Sequence, residues 1–211
     1  MWWADERDCR SSSDGGSRLR VALIPFTPEW RAARERARSA AHYVAALQQE
    51  PGEADVAWLA AAAANGDLDH ARWELRYARL ALGVLTAQRD ALDDQTGSDI
   101  VAALSDALDH DRRSDPDLRL LVERQLNDRI SGYHEAMSSR GGPVGAGELM
   151  GRVLLAFASD GVCSAGAPLA RAVTILAEYG ASANEGLRMA YGTAELPEDI
   201  APSQLAKTPK G

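Results

Sequence analysis

The sequence predicts an all-α fold, a multi-helix bundle with one long central helix at about residues 67–93 and a Gly/Ala-rich helical cap or subdomain toward the C-terminus. Three observations predict it. Apolar residues recur at spacings of three and four through several segments. Those segments are separated by helix-breaking steps such as Pro51-Gly52, Asn65-Gly66 and Ser114-Asp115-Pro116. Strand-like alternation is confined to Arg20–Ile24, which has no obvious pairing partner.

The elements follow in order. Thr27-Pro28-Glu29 opens the first helix: Thr27 is the cap, Pro28 sits where its missing N–H costs nothing, and Glu29 complements the helix dipole. Trp30, Ala33, Ala37, Ala40, Val44 and Leu47 then form one narrow seam, mostly Ala, that admits a close neighbour. A short helix with Trp58 and Leu59 covers about Glu53–Ala64 and stops at Asn65-Gly66. After Asp67, Leu68, Ala71, Leu75, Ala78, Leu82, Leu85 and, after a break, Leu92 mark the central helix. A second stripe, Trp73, Tyr77, Leu80 or Ala81, and Val84, covers an adjacent face, so this helix needs neighbours on two sides and Leu75, Leu82 and Leu85 are expected to bury most deeply. Asp94–Ser98 reads as a turn. Ile100, Val101, Leu104 and Leu108 define a shorter helix, and Leu118, Val122, Leu126, Ile130, Tyr133 and Met137 a long one.

Composition divides the chain. Residues 1–20, with three consecutive serines and no apolar periodicity, read as a disordered tail, and Val21 as a candidate natural start. Residues 21–139 read as the bundle. Ten of the 18 glycines lie between Gly141 and Gly192, so 140–195 reads as a small helical subdomain or cap with short helices at about 148–158, 168–179 and 184–190. The stretch 196–211, with prolines and both lysines, reads as a second disordered tail. Asn65-Gly66-Asp67-Leu68-Asp69-His70-Ala71 resembles the inter-helix turn of a tetratricopeptide repeat for that turn alone, with no second copy at the period of about 34 residues. The two cysteines, Cys9 and Cys163, make no disulfide framework, and charges interrupt the start where a signal peptide is apolar, which predicts a cytoplasmic protein. No apolar run approaches the roughly 20 residues of a membrane span.

Charge narrows the function. Of the formal net charge of -8, residues 67–135 contribute -6, from 15 acidic and 9 basic residues. That argues against a nucleic-acid surface, which needs clustered Lys and Arg. The first helix is the exception: Arg31, Arg34 and Arg38, with Arg36, form either a solvated face or a docking surface for an acidic partner or another copy.

Three weaker motifs point to chemistry. Asp90, Asp93, Asp94 and Asp99 resemble the aspartate-rich spacing with which all-helical prenyl-diphosphate enzymes hold magnesium between carboxylates and a diphosphate. His110-Asp111 resembles the pair of HD-type metal phosphohydrolases, with His70 as an upstream ligand. Gly141–Gly147, with Arg140 or Arg152, could cradle an anion ahead of a helix, against the plainer reading of a linker. No coherent catalytic set emerges. The leading expectation is a non-enzymatic helical-bundle protein without a cofactor, acting through helix-face contacts as a self-associating or partner-binding regulator or scaffold. The alternative is a magnesium-dependent enzyme acting on a phosphate or diphosphate ester through Asp90, Asp93 and Asp94.

Overall fold

A computed structural model of the chain describes residues 27–90, 94–111, 116–139, 142–159 and 167–192. These form seven helices, and no strand occurs among the described residues: α1 (Pro28–Leu47), α2 (Glu53–Ala62), α3 (Leu68–Asp90), α4 (Asp94–Asp111), α5 (Pro116–Met137), α6 (Gly142–Ala158) and α7 (Ala167–Tyr191). The readings of both tails, of Val21, of the Arg20–Ile24 strand and of Cys9 and Cys163 lie outside the described residues.

Local chemistry sets the helix ends as expected. The Thr27 hydroxyl accepts from the Trp30 N–H at 3.2 Å. Beyond α2, Asn65 and Gly66 take φ of 52° and 84°, the left-handed region that Asn and Gly enter at least cost. Asp67 Oδ1 then caps α3 by accepting from the backbone N–H groups of Asp69 and His70 at 3.0 and 2.9 Å.

Packing overrides the sequence expectation in three places. Asp94–Ser98 is not a turn but the first turns of α4. Thr96, Ile100 and Leu104 are buried on one face, and their contacts with α1 and α3 outweigh the weak propensity of Gly97. The two short helices expected at 168–179 and 184–190 are one continuous helix, α7. Ile175, Leu176, Tyr179, Ala183 and Leu187 keep a single buried face through Gly180. Gly142, Gly145 and Gly147 belong to α6, neither a linker nor an anion loop. Gly151 of the same helix serves close packing: a Cβ there would lie 2.9 Å from Leu169 and 3.0 Å from Val173 of α7.

α3 is the central element, packed by α7, α5, α2, α4 and α6 and touching α1. α1 and α4 pack on each other, α5 packs on α6, and α7 lies against α3, α6 and α1. One hydrophobic cluster runs from Ala40 of α1 to Leu187 of α7. Leu75, Leu82 and Leu85 are enclosed as expected, at 0%, 4% and 4% exposure, but Tyr77 and Val84 of the second stripe reach the same 4%. Trp73, expected in that stripe, stays 36% exposed at the start of the helix, where the Arg76 guanidinium lies 5.0 Å from its ring centre. Where α1 crosses α3, a Cβ on Gly83 would strike the Leu47 side chain, and the fully buried Tyr43 hydroxyl donates to the Gly83 carbonyl at 2.9 Å. Burial drives the Tyr43 hydroxyl pKa well above its ordinary value, with Asp90 and Tyr191 adding to the rise, so it stays a donor.

Candidate functional site

α1 and α4 bound a shallow groove of about 370 Å³. Its floor is built from small side chains, Ala37, Ala41 and Ala45 of α1 and Ala102, Ala103 and Ala107 of α4. Asp99 and Asp106 line the α4 side. Arg31, Arg34 and Arg38 are all exposed on α1. Arg34 stacks 5.2 Å from the Trp30 ring centre, Arg38 pairs with Glu35 at 3.0 Å, and Arg36 donates to Asp99 Oδ2 at 3.3 Å, tying α1 to α4. The two ion pairs are partly or largely exposed, so each is worth less than about 1 kcal/mol and leaves the guanidinium groups easy to recruit.

The acidic cluster is drawn apart. Asp90, the last residue of α3, accepts from Arg89 Nε and Nη2 at 2.7 Å each and from Asn184 of α7 at 2.9 Å. The Arg89 hydrogen bonds, above all, hold its carboxyl below the usual range, and Asn184 and Arg188 lower it further. Asp99 turns instead to Arg36 of α1, and its Oδ1 accepts from Gln95 at 2.8 Å. The two carboxylates therefore serve different helix pairs. Asp93 and the side chains of Asp94, His110 and Asp111 lie outside the described residues. The His70 Nε2 is buried with no hydrogen-bond partner among them. No three His, Cys, Asp or Glu side chains gather as metal ligands among the described residues. Arg140 lies outside them, and Arg152 is exposed on α6.

Two arrangements have no signal in the sequence. The first is a buried ion pair between residues 55 apart: Arg129 of α5 donates through Nε to Glu74 Oε2 at 3.1 Å and through Nη2 to Oε1. The Glu74 side chain is 2% exposed and that of Arg129 10%. The guanidinium is flanked by the Phe157 and Tyr77 rings, with centres 4.3 and 5.3 Å away. Both carboxylate oxygens are engaged, so the pair joins α3 to α5 rather than offering a base. Beside it, complete burial raises the Tyr133 hydroxyl pKa, with Glu74 adding to the rise.

The second is a groove of about 490 Å³ among α3, α5, α6 and α7. Leu82, Met137, Met150 and Leu176 give it apolar walls, and Arg89, Asn184, Glu185 and Arg188 give it a polar end. These positions come from four helices, so no local pattern could have grouped them.

No protein family, curated protein or solved structure matches the chain. Among the described residues, no helix is long and apolar enough to cross a membrane.

Proposed function

We propose that the protein is a non-enzymatic helical bundle that works through helix-face contacts, self-associating or engaging a partner along the α1/α4 face as a scaffold or regulator. The observation that carries this reading is the Ala-lined groove between α1 and α4, with Asp99 and Asp106 lining its α4 side and the exposed Arg34 and Arg38 carried by the same helix that supplies its other side. A floor of methyl groups lets another helix backbone approach closely. The opposed charges fix how that helix lies, because like charges across a contact are penalised. A second copy meets both requirements when its α4 lies over α1 and its α1 over α4.

Sedimentation velocity across micromolar concentrations tests the reading. The parent chain is expected to self-associate more strongly at low salt, and Arg34→Glu with Arg38→Glu to shift it to monomer. Adding Asp106→Arg to that double variant should restore association by re-pairing the charges. A strict monomer whose cell extract yields no partner would remove the reading.

A further inference from the structure

We propose that the groove among α3, α5, α6 and α7 is a binding site for a single-chain amphiphile with an anionic head, of which a medium-chain carboxylate is the simplest member. The lining is graded along α3. Leu82 stands at the apolar end with Leu176 of α7, and Arg89 at the polar end with Arg188. At 1.5 Å per helical residue these ends are about 10 Å apart, and the volume of about 490 Å³ falls in the range of small-molecule sites. Met137 and Met150, from the end of α5 and the middle of α6, supply unbranched, polarisable walls that adapt to a flexible chain.

Between the two ends sits Thr86. The residue is only 5% exposed, lines the groove, and its hydroxyl forms no hydrogen bond among the described residues. A hydroxyl that opens onto a mostly apolar groove offers a ligand atom a hydrogen bond there that gains more than the same contact would at a wet surface. The polar end also favours an anion. Asp90 is already satisfied by both Arg89 groups and by Asn184, and Arg188 reaches it through charge without a hydrogen bond. Arg188 can therefore turn its N–H groups to a carboxylate head while Asp90 keeps its partners. Glu185, exposed on α7, is the carboxylate that lines this groove and disfavours a second negative charge on the ligand. The groove shares no lining residue with the α1/α4 face, so the two proposals stand or fall separately.

Isothermal titration of the full chain with decanoate, decanol and decyltrimethylammonium tests the site. Decanoate should bind below its micellar concentration, decanol about tenfold more weakly for lack of the charge-assisted bond, and the cation more weakly still. Arg188→Gln should weaken decanoate about tenfold and leave decanol unchanged, and Thr86→Val should weaken decanoate several-fold. The blocking variant is Gly180→Leu. A Cβ there meets no atom within 4 Å, so the new side chain enters the groove without displacing a helix, and an unchanged melting temperature reports the intact fold. It should abolish binding. Absence of decanoate binding, equal affinity for decanoate and decanol, or binding that survives Gly180→Leu would each overturn the assignment in favour of non-specific partition onto apolar surface.

Discussion

α1 and α3 are similar in length, 20 and 23 residues, yet four residues of α1 are buried and thirteen of α3. Both carry heptad-like apolar seams, so periodicity alone does not separate them. What separates them is the second stripe of α3 and the number of neighbours it recruits. α3 is packed by five helices besides α1, whereas α1 rests mainly on α4 and α7 and keeps an Arg-rich back in solvent. One short buried face, Ala40, Tyr43, Val44 and Leu47, suffices for two close neighbours. A helix enclosed on most sides needs large side chains in several directions, and it must also neutralise any charge caught inside.

The sharpest way to break this contrast is at the charge α3 has buried. Arg129→Met strands Glu74 in the core and should cost about 3–5 kcal/mol, whereas combining it with Glu74→Leu should recover most of that loss. Denaturant titration of both variants checks this, and equal losses would mean the pair is solvated. Next comes the apolar seam: Leu82→Ala, at a residue 4% exposed, should cost about 2–5 kcal/mol through lost contacts and the cavity left behind.

A smaller effect is expected at the C-terminal end of α3, and it depends on pH. Because the folded state holds the Asp90 carboxyl below its ordinary 3.8, its contribution is present above that value and lost as pH falls through the depressed one. The stability difference between the parent chain and Asp90→Asn should therefore be full near neutrality and close in acid, as read by melting temperature against pH. The smallest effect belongs to the back of α1. Arg34→Ala should change stability by no more than about 0.5 kcal/mol in the monomer, since its side chain is exposed. A loss comparable to that of Leu82→Ala would mean that α1 is a core helix after all.

Much of the fold was legible because it rests on local rules. The all-α class, the caps at Thr27 and Asp67, the stop at Asn65-Gly66 and the central rank of α3 all follow from spacing and turn chemistry within a few residues. The misjudged segments share one cause. Gly97, Gly142–Gly147 and Gly180 look like breaks when propensity is read alone, and each lies inside a helix held by tertiary packing. The candidate sites divide the same way. Clustered arginines on α1 could be seen in the sequence because one helix carries them. That Asp99 belongs with Arg36, that Asp90 belongs with Asn184, and that Tyr43 reaches Gly83 could not.

By itself, then, the sequence determined which segments are helical, where most of them begin, and which helix must lie at the centre, since these depend on periodicity and on backbone groups satisfied within a turn or two. Only the tertiary structure decided that Glu74 meets Arg129 inside the core, that Asp90 and Asp99 serve different helix pairs, and that Thr86 opens onto a groove shared by four helices. Those outcomes depend on which helices cross and at what height. Contacts between residues tens of positions apart leave no period in a single sequence from which that could be read.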